Sequence, residues 1–205
     1  MIKSKNLYLI RHGETDWNRE KRLQGQSDIP LNETGKAQAN ELVPVISRLK
    51  VEAVFSSDLV RAHETARIAI GESRITIHKD TRLREANIGE AEGLSQEEIS
   101  QKFDQEALSR WRSYEEHNMD YKFIGGESKR QMMVRMREAV LDIAQNTNQA
   151  NIAIFCHGMV MRAMTYAFQQ GVDWDYQVFS NGSIHHFVWN DHRPEYLKYL
   201  GKIIK

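Results

Sequence analysis

Cysteine is almost missing from this 205-residue chain. Cys156 stands alone, so no disulfide can form within it and nothing points to an oxidising compartment. Proline is scarce too, at three residues, and no linker, internal repeat or low-complexity tract interrupts the sequence, so mostly regular structure is expected. No apolar run approaches the roughly 20 residues that span a bilayer, and the apolar stretch ahead of Arg11 is too short for a signal-peptide core. A surplus of one charge is lacking as well. The 28 Lys+Arg balance the 28 Asp+Glu, which gives no electrostatic reason to expect a nucleic-acid or membrane-surface partner. The lysines near both ends (Lys3, Lys5, Lys198, Lys202, Lys205) read as solvated termini. A cytoplasmic protein is the expectation.

What is present is an ordinary globular balance, 40% hydrophobic and 27% charged residues, arranged in alternation. Short β-branched and aromatic runs at 6–10, 53–57, 74–79, 151–157 and 183–190 read as strands. Between them, 33–50, 58–71, 128–147 and 158–170 carry apolar residues at helical spacing. Asp58 and Ser128 are the expected N-caps, with Gly71 and Gly171 at the expected helix ends. Such alternation implies an α/β fold with helices on both faces of a mainly parallel sheet, whose ligands gather at the carboxyl ends of the strands. Residues 94–125 differ. A capping-box pattern from Ser95 to Glu98, a helical piece around Trp111, and then Tyr114, Tyr121 and Phe123 without a convincing strand suggest a small helical insertion over the site. One domain over 1–205 is expected, its core formed by about 1–93 and 126–205.

Eight histidines are somewhat many, but neither H-E-x-x-H nor paired cysteines occur, and no metal site is expected. His78, His117, His185, His186 and His192 read as surface or strand-packing residues. His12 has different company. It ends an apolar strand in "LYLIRHG", with Arg11 before it and Gly13 after it, where a glycine lets the backbone approach a ligand. A neutral imidazole is a competent nucleophile towards phosphorus, and arginine's fork of donors suits the phosphate's charge. Arg61, in "SSDLVRAHETA", falls in the first turn of a helix, where N–H groups favour anions. Glu85 lies in the glycine-punctuated "LREANIGEAEG", and His157 in "FCHG" at a strand-to-helix turn.

These four motifs, with "GQSDIPLNETG" and "NGSI" in the same order, resemble the histidine phosphatase superfamily, in its phosphoglycerate-mutase-like branch. The resemblance covers nearly all of the chain outside 94–125. It implies a three-layer α/β fold of the phosphoglycerate-mutase type. His12 would be the nucleophile that becomes phosphohistidine, with Arg11, Arg61 and His157 around the phosphoryl group. Glu85 would be the acid for the leaving oxygen and then the base for water. Asn18, Gln24 and Gly25 would line the phosphate and substrate pocket, and Gly13 and Gly158 would offer backbone groups. No cofactor is implied. The expected partner is a small phosphate ester, and the expected assembly a monomer or homodimer.

Three competing readings follow from the same residues; one is a non-catalytic phosphate-binding module, which loss of the nucleophile or the acid would support, and neither is lost here. "CHGMVMR" fits C-x5-R, the bare signature of cysteine-dependent phosphatases with Cys156 and Arg162. However, its glycine is misplaced, "MVM" looks like a helix start, and Arg11, His12 and Glu85 would be left unexplained. Phosphoglycerate mutases, the isomerase alternative, need a bisphosphate primer and a second anion site. They carry an Arg-His-Tyr stretch after the acid, where this chain reads "ANIGEAEG". Arg110 and Arg112 could touch a second anion but read more simply as solvent-facing helix residues. Ala91 departs from the aromatic residue that many phosphatase relatives carry before Glu-Gly. The expectation is therefore a phosphatase.

Overall fold

The structure is a computed structural model that describes residues 4–168 and 179–204. Gly171, the last two residues of the helix expected over 158–170, Lys3 and Lys205 lie outside the described residues. A six-stranded sheet of order β3-β2-β4-β1-β5-β6 forms the centre. Its strands are β1 (Ser4–Arg11), β2 (Ala53–Ser56), β3 (Ile77–Lys79), β4 (Asn151–Cys156), β5 (Ile184–Asn190) and β6 (Leu197–Ile204). The first four named in the order run parallel, while β5 on β1 and β6 on β5 are antiparallel.

Helices cover both faces, which is why the central strands are apolar on every residue rather than on alternate ones. In β1, Leu7 and Leu9 enter one buried cluster and Tyr8 and Ile10 the other. In β4, Ile152, Ile154 and Cys156 face the first cluster, Ala153 and Phe155 the second. The second cluster is closed by α2 (Glu33–Arg48) and α3 (Val60–Ala69), through Leu42, Val45, Ile46, Ala66 and Ala69. The first is closed by α6 (Lys129–Asn146) and α7 (Gly158–Phe168), with Met132, Met136, Val140, Met161 and Met164. Pro44 sits inside α2 on its solvent side, and the Asn40 carbonyl that loses its N–H partner belongs to an exposed residue.

The segment after β3 is helical, as expected. It holds α4 (Gln96–Lys102), capped by the Ser95–Glu98 box, α5 (Ala107–Arg112) and a 3₁₀ turn at Glu116–Asn118. Ile99, Leu108, Trp111, Met119 and Phe123 bury it in the first apolar cluster. The short α1 (Asp16–Arg19) follows β1.

Three expectations need correction. Asp58 does not cap α3. The N-cap position is Leu59, without a side-chain bond, and Asp58 instead holds Arg84 through both oxygens at 2.7 and 2.5 Å. The free Val60 N–H of that helix start is met from afar by Asp28, at 2.6 Å. The strand expected over 74–79 begins only at Ile77. Finally, β6 was not foreseen, because Lys198, Gly201 and Lys202 break its apolar pattern and bulges interrupt its pairing with β5. The caps at Ser128 and the turn at Gly71 (φ +55°) are as expected. Among the described residues no helix is long and apolar enough to cross a membrane.

Candidate active site

Arg11, the last residue of β1, and His12 emerge at the carboxyl edge of the sheet. His12 N–H continues the parallel pairing onto the Cys156 carbonyl (3.1 Å), so the histidine is fixed by the sheet itself. Asn181 adds a side-chain donor to the His12 carbonyl at 3.0 Å and a second to the Asn18 Oδ1 at 3.2 Å. The ring is 2% exposed. Its Nδ1 lies 2.7 Å from the Gly13 carbonyl, an oxygen that can only accept, so Nδ1 carries the proton and Nε2 keeps its lone pair. Burial, reinforced by the charges of Arg61 and Arg11, holds the His12 pKa well below the ordinary histidine value.

Arg61 is wholly buried because it belongs to the core-facing stripe of α3, with Thr65 and Ala69 one and two turns on. Its two terminal nitrogens donate to the Ser27 and Gly25 carbonyls at 2.7 Å each, while the buried Nε meets no protein acceptor. Burial lowers its pKa to about 10, which leaves it a cation at neutral pH. Arg11 donates to the Phe179 carbonyl, and its Nε also lacks a protein acceptor. His157 follows β4. Its ring centroid is 5.2 Å from that of His12, and neither of its buried nitrogens has a partner among the described residues. Burial first, then Arg61, keeps it neutral, with its pKa well below the usual value.

Glu85 reaches the same cavity from the loop after β3. Its carboxyl accepts from Ala86 N–H (3.0 Å) and from the first turn of α7, Met159 N–H at 3.1 Å and Val160 N–H at 3.3 Å. Its carbonyl is held by Arg135 (3.3 Å) and Gln26 (3.1 Å). Arg11, His12, Arg61 and Glu85 line a cavity of about 190 Å³ with Asn18, Gln24, Gly25 and Gly158, whereas His157, wholly buried beside the His12 ring, is not among the lining residues.

The remaining predicted residues have more specific roles than a pocket lining. Asn18 Oδ1 also accepts from Thr15, forming the capping box of α1. Gly25 takes a left-handed φ of +53°, and a Cβ there would stand 2.2 Å from Glu92 Oε1. Gly158 makes room for the Arg11 guanidinium, 3.3 Å from where a Cβ would be. Gly13 is needed for a different approach from the one expected. Its Cβ would strike the Gly35 carbonyl at 2.3 Å, so two chain segments, rather than a ligand, come close there.

Sequence reasoning missed Arg22 and Phe179 as wall residues. They line the cavity with Trp111, with Arg162, which the sequence offered only for a cysteine-dependent site, and with Arg112, read as solvent-facing. Arg110 is paired with Asp104 on the surface. Of the histidines set aside, His78, His117 and His192 are exposed, whereas His185 and His186 lie on β5. Cys156 is fully buried on a strand, and desolvation pushes its thiol far above the ordinary range. Arg162 sits inside α7, so no loop joins the two into an anion cradle. Among the described residues no group of three His, Cys, Asp or Glu is placed to hold a metal ion.

A mainly parallel α/β sheet whose strand ends gather two arginines, two neutral histidines and a carboxyl group defines the class of phosphoglycerate-mutase-like folds. Within it, this chain belongs to the histidine phosphatase superfamily (branch 1), which it matches over residues 7–200. It is 34% identical over 161 residues to phosphoglycerate mutase-like protein 4 of Arabidopsis thaliana, covering 77% of this chain and 68% of that protein. The solved structure of YhfR from Bacillus stearothermophilus is 30% identical, with a TM-score of 0.84 over 96% of each chain. A mycobacterial glucosyl-3-phosphoglycerate phosphatase in complex with VO3 shares the fold at 24% identity, with a TM-score of 0.81 over 98% of each chain.

Proposed function

We propose that the chain is a phosphomonoester hydrolase for small phosphorylated metabolites, working through a phosphohistidine on His12. The observation that carries this reading is the Nδ1–H bond to the Gly13 carbonyl, which leaves the Nε2 lone pair of a neutral, buried imidazole between two arginines. Nε2 attacks phosphorus, the bond to the leaving oxygen breaks, and Glu85, as the general acid, gives that oxygen its proton. Glu85, now ionised, takes a proton from water. The oxygen of that water displaces Nε2 from phosphorus and releases inorganic phosphate. Phosphoryl transfer asks mainly for positioning and charge stabilisation, which Arg11, Arg61 and His157 supply without a metal.

A mutase that returns the phosphoryl group to its acceptor is the second reading, favoured by the mutase-like name of the Arabidopsis relative. The cavity wall just after the acid favours hydrolysis. It is built from Ala86 and Ile88, neither of which could hold a second anion at that place, while Arg22, Arg112 and Arg162 line other parts of the same cavity.

Both readings are separated by a screen of phosphorylated metabolites, including 3-phosphoglycerate, with and without 2,3-bisphosphoglycerate and with a chelator present. Primer-independent phosphate release that survives chelation is expected. Primer-dependent formation of 2-phosphoglycerate sinks the hydrolase reading. His12→Ala is expected to lower kcat by about 10³-fold or more and to abolish an acid-labile phosphoprotein. Full activity in that variant removes His12 from the mechanism.

A further inference from the structure

Outside the phosphoryl cradle, the least expected group in the molecule is a buried lysine. Lys129, the first residue of α6, is 1% exposed and touches no carboxylate. Its ammonium donates to three main-chain carbonyls, those of Trp111 (2.8 Å), Asn118 (2.9 Å) and Arg110 (3.2 Å). An ammonium has three N–H groups, so each finds an acceptor. Desolvation lowers the pKa to about 8, and at neutral pH the three-donor form prevails. The charged groups nearby are engaged elsewhere. Asp120 pairs with Arg130, Arg130 also with Glu116, and the Arg110 guanidinium with Asp104.

Two of those carbonyls end α5, a helix of only six residues. A helix that short is marginal by itself, and its last carbonyls need donors from outside. Lys129 supplies them, and a cation at that end also suits the helix dipole. Of the residues at this helix end, Trp111 and its neighbour Arg112 line the cavity. Trp111 lines it as a buried ring, and Arg112 lines it with no ion pair or hydrogen bond from its guanidinium among the described residues. Neither comes from an element that holds the phosphoryl group, so this wall faces whatever leaves with the ester oxygen. A planar guanidinium placed there suits a leaving group rich in acceptor oxygens, such as a hydroxy acid.

Building on the phosphatase reading, we infer that Lys129 is a positioning residue: by clasping the end of α5 it sets Trp111 and Arg112 as the surface that selects oxygen-rich leaving groups. Lys129→Met removes the donors and leaves three carbonyls buried. Its KM for a phosphorylated hydroxy acid is expected to rise about tenfold, with kcat within twofold, while KM for phenyl phosphate and inhibition by inorganic phosphate stay within twofold. Amide hydrogen exchange over 107–118 should accelerate, with the rest of the chain unchanged. Lys5→Met is the control. That buried ammonium holds the Ala144 and Thr147 carbonyls away from the cavity, so its loss should lower stability and leave KM alone. If Lys129→Met does not fold, Lys129→Gln, which keeps two donors, is read in the same way and should shift each quantity less.

The inference is overturned by an unchanged KM, by KM and phosphate inhibition rising together, or by unaltered exchange at 107–118. Exchange needs no turnover, so a chain that hydrolyses nothing would defeat the phosphatase reading while this measurement still decides the role of Lys129.

Discussion

At Gly13 the residue type is dictated by a neighbour 22 positions away in sequence, because Gly13 and Gly35 meet backbone to backbone. Gly13 also donates its N–H to Thr65 Oγ1 (3.0 Å) and lends its carbonyl to His12. Gly13→Ala must push the 11–15 and 33–36 segments apart. It is expected to cost about 1–3 kcal/mol or more by overpacking and to lower kcat at least tenfold, read by urea unfolding and steady-state kinetics. Gly158→Ala is the milder case, since its Cβ meets the side chain of Arg11 at 3.3 Å and not a backbone; an equal loss in both variants contradicts this argument. Arg11, His12, Arg61, Glu85 and His157 were legible in the sequence because each marks a strand end, a helix start or a glycine-punctuated loop. The reason for Gly13, and the place of Arg112 and Arg162 in the wall, were not. They depend on approaches between distant segments that leave no local pattern.

The same division holds for helices. Ser128 caps α6 by a box that is written within four residues, its Oγ accepting from Gln131 N–H and the Gln131 side chain accepting from Ser128 N–H. Ser128→Ala should cost about 1 kcal/mol with kcat and KM little changed, measured by urea unfolding. A loss of activity without a loss of stability would assign the serine some other task. Asp58 offered an equally good local signal and failed, because Arg84 claims its carboxylate and Asp28 takes over the helix start. Caps are readable when the sequence nearby has no stronger partner to offer. Strand β6 was hidden for another reason. It pairs along one edge only and carries Lys198 and Lys202, which is how an edge strand discourages further pairing.

Taken whole, the molecule buries three neutral imidazoles, His12, His157 and His185, each with a pKa lowered chiefly by desolvation, His185 to about 4. In the unfolded chain they take up protons near the ordinary value of about 6.5. Below that pH the unfolded state binds more protons than the folded one, so stability rises with pH through the window and is lost as pH falls. For His185 the window runs from about 6.5 down to about 4. The urea midpoint should therefore fall across this range, and His185→Gln should flatten the slope; an unchanged slope would mean that His185 is already protonated when folded. The sheet has one more consequence. Both neighbours of β1, β4 and β5, lie in the last third of the chain, with Asn6 opposite Asn151. At ribosomal rates of about 5–20 residues per second, this apolar strand waits roughly 7–28 s for a partner. Until then neither edge of β1 has a strand to pair with and the face bearing Leu7 and Leu9 lacks α6 and α7, so the nascent chain needs shelter for longest at the segment that carries His12.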